Sequence, residues 1–506
     1  MNTPIFYRAE VKGIQAWILA SDRLRELKGG SAIIDGLAAD ARRLLHRLEV
    51  SDCQIITAAG GVEVVFENHA SLERFAEAWP LVVSERAPGL TLVQAWGPAD
   101  APKQVYAALG AQRNRRAPSL PEAGPLMARS GRTGLPAVRS GSGKDDGLMD
   151  RIVAAKLDAL KDGRAGLDRL APDGFSFVED ADKLGEGYIA VVHADGNGVG
   201  NIVQRLSEEH PSEDRFAVKA RFSSALSTAT ERAAKEAIEK LVGWTRRDDN
   251  FADGRGGHEL RARPIVLGGD DLTFLVDARY GIPFTLAFLE AFQNATRAEK
   301  DILSGQGLDA CAGLAFTKTG FPFHAGHALA ESLCNAAKKG LRQGEHTPSG
   351  LLFHRVTTAS ADTSWEGLER GELCAGRDGL LSGGPYGLDR LVALSQLALA
   401  LGSLPRGAVR EWLTLEHEGS PRAAALWQRT RETAVGDVWE RFAAKLTALD
   451  HSPQTGREPL PADPREDKPA PCTEQRKKPT WRTALGDALL WRTLQPSDSD
   501  RTRRTR

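Results

Sequence analysis

Along the first hundred residues the apolar positions switch between a period of two and a period near 3.6, and the switches mark out elements. Phe6 to Val11 alternates as a strand, Ile14 to Leu27 repeats as a helix, and Gln54 to Phe66 reads as a hairpin around Gly60-Gly61. Ser71 to Glu85 is again helical and Leu90 to Trp96 extended, so this stretch forms one α/β unit. From Tyr188 to Val356 the order returns as strand, turn, helix, Gly-Gly hairpin, helix and strand, which points to an internal duplication. Beyond Gly387 the segments LDRLVALSQLALALGSLP, REWLTLEHEG and AAALWQRTRETAVGDVWERFAAKLTAL keep the helical period with few β signals.

These patterns divide the chain into a first unit (1–100), a connector (101–185), a second unit (186–360), a helical part (361–450) and a linker with a short basic helical tail (451–506). The fold class expected is α/β, of the α+β kind. Pro102 to Gly147 is rich in Pro, Gly, Ser and Arg, with Arg113, Arg115, Arg116, Arg129, Arg132 and Arg139 against Glu122 as the main acid, and reads as a mobile basic loop. His451 to Lys478 reads as a flexible linker, Thr483 to Leu494 as an amphipathic helix and Arg501 to Arg506 as a basic tail.

Composition narrows the class. With 41% apolar residues among 506, ordinary globular cores are within reach, and 66 basic against 67 acidic residues exclude nucleic-acid binding by bulk charge, leaving RNA contact to local patches. The start lacks a basic segment followed by an apolar core, and no apolar run approaches the roughly eighteen residues of a membrane span, so a cytoplasmic protein without membrane partners is expected. Five scattered cysteines with no CxxC pair disfavour structural zinc and disulfides.

The chemistry concentrates in the second unit. In ARPIVLGGDDLTFLVD two apolar runs flank Gly268-Gly269-Asp270-Asp271, placing adjacent carboxylates at a hairpin tip, displayed and not buried. Upstream, GYIAVVHADGNGVGNIVQRL brings an apolar strand to Asp195 and a glycine-rich turn, Gly196-Asn197-Gly198, at a helix start whose N–H groups favour phosphate oxygens. An EF-hand fails because Val199 and Leu206 fall at ligand positions, a dinucleotide fingerprint fails at Asn201, and no P-loop occurs. GGDD alone also fits a solvated acidic turn. Paired with Asp195 it fits a two-metal site of the kind palm nucleotidyl transferases assemble, in which two Mg²⁺ ions about 4 Å apart activate a 3′-hydroxyl and neutralise pyrophosphate.

The opening GIQAWILASDRLRELKGGSAII, ADGNGVG, PIVLGGDDLTFLVD, CAGLAFTKTGFPFHAGHALAESLCNAAKKGLR and SGLLFHRV together resemble the large signature subunit of type III CRISPR effector complexes, over most of residues 1–450. The resemblance implies two ferredoxin-like palm domains and a target-RNA-activated enzyme that converts ATP into cyclic oligoadenylate. It implies Asp195, Asp270 and Asp271 as metal ligands for two Mg²⁺ or Mn²⁺ ions, with Asp270 and Asp271 catalytic. Gly196, Asn197, Gly198, Gly268, Gly269, Ser223, Lys338 and Lys339 are then nucleotide contacts, and the partners are ATP, other effector subunits, guide RNA and target RNA. A noncatalytic palm scaffold of the ribonucleoprotein, or a stand-alone cyclase outside CRISPR, remain open readings.

Departures from the family pattern qualify this. Asn197 stands where a second carboxylate often follows the first, and no adjacent His-Asp pair marks an HD nuclease, so no DNA cleavage is expected. PLMARSGRTGLPAV presents Ser130 and Thr133 where a zinc-binding insertion would carry thiolates, so no zinc is expected. The first unit has Gly60-Gly61-Val62-Glu63 in place of GGDD, so no metal pair is expected there, and its role is either to pack face to face with the active palm and complete a nucleotide pocket or to serve as pure scaffolding. Arg25 and Lys28 are candidate surface or nucleotide contacts, and His193, His324 and His327 are read as packing residues.

Overall fold

A computed structural model describes residues 4–494 except 22, 51–52, 59, 115–119, 121, 162–165, 210–211, 253–257, 301–304, 358–361, 376–378, 450–478 and 480. The linker and the basic tail read from the sequence, together with Arg115, Arg116 and Cys472, therefore lie outside the described residues.

The first unit runs β1 (Ile5–Lys12), α1 (Ile14–Ile18), α2 (Leu24–Arg47), β2 (Cys53–Ala58), β3 (Gly61–Phe66), α3 (His69–Arg86), β4 (Thr91–Pro98) and α4 (Pro102–Arg113). Its sheet has the order β2-β3-β1-β4, the ferredoxin-like arrangement, with β1 antiparallel to both neighbours. Alternation along β1 decides what each face meets. Tyr7, Ala9 and Val11 enter the core with Leu37, Ala41, Phe75 and Trp79, while Phe6 packs with Val105 and Leu109 of α4. The single helix expected over Ile14 to Leu27 is instead two, because the chain leaves helical geometry between Ile18 and Leu24.

The connector carries β5 (Ala137–Gly141), β6 (Gly147–Asp150), α5 (Arg151–Lys161) and the short β7 (Ser176–Phe177). Where a zinc site would hold thiolates, hydroxyls close the turn: Thr133 Oγ1 donates to Asp150 Oδ2 at 2.7 Å, and Asp150 Oδ1 accepts from the backbone N–H of Ile152 and Val153 at the start of α5. Several described charges of the connector pair with α2. Arg25 pairs with Asp145 and Glu179, Lys28 with Asp168 and Glu179, and Arg132 with the buried Glu26, so these residues tie α2 to the connector.

The second unit contains β8 (Tyr188–Gly196), α6 (Val199–Glu209), α7 (Ser212–Arg247), β9 (Glu259–Leu260), β10 (Ala262–Gly268), β11 (Asp271–Asp277), α8 (Gly281–Ala298), β12 (Ala310–Lys318), α9 (Phe323–Leu341) and β13 (Gly350–Arg355). Within its sheet the run β10-β11-β8-β12 repeats the first unit's order, and β13 adds parallel to β12. Ala190, Val192 and Ala194 face the core of α7 and α8, whereas Ile189 and Val191 share a core with α9 and the first unit. By parity, His193 and Asp195 lie on that second face, as do Asp271 and Thr273 of β11.

After α10 (Trp365–Arg370) and the two-residue strands β14 (Cys374–Ala375), β15 (Gly379–Leu380) and β16 (Tyr386–Gly387) come four helices: α11 (Leu388–Ala400), α12 (Arg406–His417), α13 (Arg422–Thr433) and α14 (Val438–Leu449). The amphipathic helix expected around Thr483 to Leu494 is present over Leu485–Leu494 and packs into the core. β17 (Trp481–Arg482) pairs with β15, and α15 (Leu485–Leu494) buries Leu485, Ala488 and Trp491 with Leu391 and Leu394. Its Asp487 Oδ2 accepts from Ser382 Oγ at 2.9 Å, Gly383 N at 2.9 Å and Tyr386 Oη at 2.6 Å. Among the described residues no single helix is long and apolar enough to cross a membrane.

Burial pushes the Asp487 carboxyl up to about 6, three donors notwithstanding. An acid more easily ionised when unfolded costs stability as pH rises from about 4 to 6, with the full cost of about 3 kcal/mol present above that range. Asp487→Asn keeps an acceptor for the same donors and removes the charge, so its thermal midpoint relative to wild type rises across that window and then levels. A difference that stays flat from pH 4 to 8 would contradict this account.

Candidate active site between the two units

The GGDD segment closes the β10–β11 hairpin: Gly268 pairs with Asp271, leaving Gly269 and Asp270 as the turn, with Gly269 at φ +62°. Thr230 of α7 fixes this turn by donating to Gly269 O at 2.6 Å. Asp271 also pairs in register with Asp195 on β8, so strands that are remote in sequence bring two acids side by side. Asp270 leans over Gly196, where an added Cβ would lie 2.8 Å from the Asp270 Cβ, so glycine is required there.

The three carboxylates converge in a partly desolvated space. The carboxyls of Asp195 and Asp270 are within hydrogen-bonding reach of one another. Burial, then the negative charge of Asp195, pushes Asp270 up to about 7; burial with Asp195 and Asp270 pushes Asp271 up to about 8. The acids are thus half-buried, neither fully displayed nor sealed: the Asp195 side chain keeps 38% of its exposure and that of Asp271 28%. Lys338, in the last turn of α9, supplies the neighbouring positive charge: its Nζ lies 2.5 Å from Asp195 Oδ2 and 2.9 Å from Gly196 O.

Behind Asp271, His193 Nδ1 stands 3.4 Å from Oδ1, and His193 and His327 flank Thr273 Oγ1 at 3.4 and 3.3 Å. Burial depresses both imidazoles, to about 4 and about 3, so they are neutral at pH 7 and pack as a T-shaped pair. Neither forms an ion pair with the acids at that pH.

A cavity of about 460 Å³ lies between the units and reaches GGDD at Gly268, Gly269 and Asp271; Gln15, Asp35 and Gly61 line its other side. That volume is ordinary for a small-molecule pocket. Hard carboxylate oxygens, one of them a shielded and unpartnered Asp271 Oδ1, form a donor set that suits Mg²⁺ or Mn²⁺. Among the described residues, no group of three or more His, Cys, Asp or Glu side chains is placed to hold a metal ion as the side chains stand.

Of the remaining sequence candidates, Gly268 and Gly269 line the cavity and three others are turned elsewhere. Asn197 Nδ2 donates to Thr347 O at 2.8 Å and to Cys311 Sγ at 3.4 Å, so its amide serves the neighbouring backbone. Lys339 points away from the acids, exposed and 3.7 Å from Glu366, because successive helical residues diverge by about 100°. Ser223 is not among the cavity-lining residues; on the same helix Ser227 and Thr230 are, four and seven positions on, a spacing visible in the sequence. Gly198 is exposed beside the start of α6, at φ +73°. Gln15, Ser227 and Thr230 were missed, Gln15 because it sits on the other unit.

The first unit's hairpin is built differently. Glu63, buried on β3, is held by Arg8 and by Lys219 Nζ at 2.6 Å, so it fastens α7 to the first sheet. Gly60, at φ +79°, allows its hairpin to press on β1 and α1, since a Cβ would lie 2.4 Å from Val11 Cγ2 and 2.8 Å from Ile14 Cδ1.

Residues 188–345 match the family described as Cas10/Cmr2, second palm domain. No curated protein matches the chain at significant similarity. Among solved structures, a Csm1-Csm4 cassette in complex with pppApA aligns over 87% of this chain and 67% of its own, with 14% identity and a TM-score of 0.51. A cassette in complex with cA4 aligns over 67% and 53%, with 15% identity and a TM-score of 0.44, so the chain spans about half the length of that relative. Csm1 in T.onnurineus aligns over 98% and 70%, with 12% identity and a TM-score of 0.48. Residues 188–345 are therefore similar to the second palm domain of the Cas10/Cmr2 family, in a chain whose fold is similar to that seen in the Csm1-Csm4 cassette.

Proposed function

We propose that this protein is the nucleotidyl cyclase subunit of a type III CRISPR effector, joining ATP into cyclic oligoadenylate when the complex recognises target RNA. The observation that carries the reading is the convergence of Asp195, Asp270 and Asp271, the last of which lines the inter-unit cavity. The likeness in fold to a Csm1-Csm4 cassette in complex with pppApA adds weight. By the same likeness the proposed partners are other type III subunits, with guide and target RNA reached through the assembly.

Asp195, Asp270 and Asp271 would hold Mg²⁺ or Mn²⁺, which when bound acidifies a 3′-hydroxyl and neutralises charge on the phosphates. The chain's own residues do the rest by placement. Gly268 and Gly269 let a nucleotide approach the hairpin backbone, Thr230 fixes the turn, and the first unit shields the acids from water. Lys338 sits where its ammonium can pass from Asp195 to an incoming triphosphate. A catalytically silent palm scaffold is the second reading, favoured by the diversion of Asn197 away from the acids.

Two measurements bear on these readings. Added Mn²⁺ raises the thermal midpoint of the wild type and leaves an Asp270→Asn, Asp271→Asn double variant unmoved; without metal, that variant is the more stable by about 1–2 kcal/mol once solvent screening is counted, because mutual repulsion is relieved. In the second, protein with ATP and Mg²⁺ or Mn²⁺ is assayed with and without guide complex and target RNA. Oligoadenylate forms, and an Asp270→Ala, Asp271→Ala variant loses at least about 10²-fold in rate. ATP binding with no product under any of these conditions transfers the case to the scaffold; product without RNA indicates autonomous synthesis.

A further inference from the structure

Gln15, on α1 of the first unit, donates from Nε2 to Asp271 Oδ2 at 2.9 Å, across 256 positions of sequence. Among the described residues it is the one side-chain donor hydrogen-bonded to this carboxylate, whose Oδ1 is shielded and has no hydrogen-bond partner. A carboxylate turns easily about its last torsion, which has broad, roughly two-fold wells, so a single directional donor decides where the free oxygen points. An amide is suited to this. It supplies an N–H without a positive charge, so it orients Asp271 while leaving the full negative charge for a cation.

The donor itself rests on a fixed base. Lys156 of the connector helix α5 donates to Trp17 O at 2.7 Å and Ile18 O at 3.0 Å, capping the end of α1, and its ammonium lies 4.7 Å from the Trp17 ring centroid. Trp17 Nε1 in turn donates to Pro88 O at 2.9 Å. The first unit's Gly-Gly hairpin presses on Ile14 from the other side. Separation of the units by about 1 Å would stretch the Gln15 contact beyond hydrogen-bonding range.

We propose that Gln15 is a positioning residue that fixes the Asp271 carboxylate and makes cation binding by the second unit conditional on the seating of the first. This rests on the reading that the acids hold a divalent cation. The first unit is then a working part of the metal site although its own hairpin lacks the acid pair.

The test is Mn²⁺ titration of the full chain without nucleotide, followed by the electron paramagnetic resonance signal of free Mn²⁺. Gln15→Met keeps length and bulk and removes the donor. It weakens Mn²⁺ binding about tenfold, the scale of one hydrogen bond to a charged group, and has no further effect in an Asp271→Asn background. Equal affinity in wild type and Gln15→Met overturns the proposal, as does an equal loss in both backgrounds. If the wild type binds no Mn²⁺, the metal reading itself fails, and metal-free melting of the same four proteins decides the rest: coupled midpoints retain Gln15 as the residue that positions Asp271, and additive midpoints overturn it.

Discussion

Three carboxylates share a small, partly dry volume with one neighbouring ammonium, and much of the architecture around them serves that uncomfortable arrangement. Bringing Asp195 beside Asp271 requires two neighbouring strands in fixed register, and holding Asp270 above them requires a glycine beneath it. Like charges at such range resist ionisation, which is why burial and mutual repulsion hold two of the acids near or above neutrality. Neutral imidazoles on one side and a neutral amide on the other avoid both further repulsion and premature neutralisation. A site that crowds three acids around one ammonium is a poor stabiliser of its own fold and a good receiver of cations.

The duplicated units show how one topology supports opposite uses of one hairpin. In the second, Asp271 faces a cavity; in the first, Glu63 is consumed by Arg8 and Lys219 and becomes a bolt between the units. Fold similarity alone would not have distinguished these roles, which depend on what lies opposite each turn.

Periodicity made the strands and the duplication legible, and once β8 and β11 are accepted as strands the parity of His193, Asp195, Asp271 and Thr273 follows. Adjacent acids between apolar runs signalled the hairpin. What the sequence could not show was proximity between remote segments. Gln15 looks like any polar residue on a helix, and only the packing of the units brings it to Asp271. Lys338 and Lys339 are equivalent in composition and part company only through helical phase, toward Asp195 and toward Glu366 respectively. The break between α1 and α2 was hidden because apolar spacing continues across it, and the docking of α15 because its ten residues bury their polar anchor, Asp487, among partners more than a hundred positions upstream.

That last separation affects the order in which the molecule can be assembled. Tyr386 belongs to the edge strand of the palm sheet, and its hydroxyl donates to Asp487, 101 residues later. During synthesis the second palm must therefore wait, with that edge and the apolar face of α11 uncovered, until the closing helix has left the ribosome. Chaperone demand during translation would accordingly concentrate on this late interval, long after the three clustered carboxylates have been made.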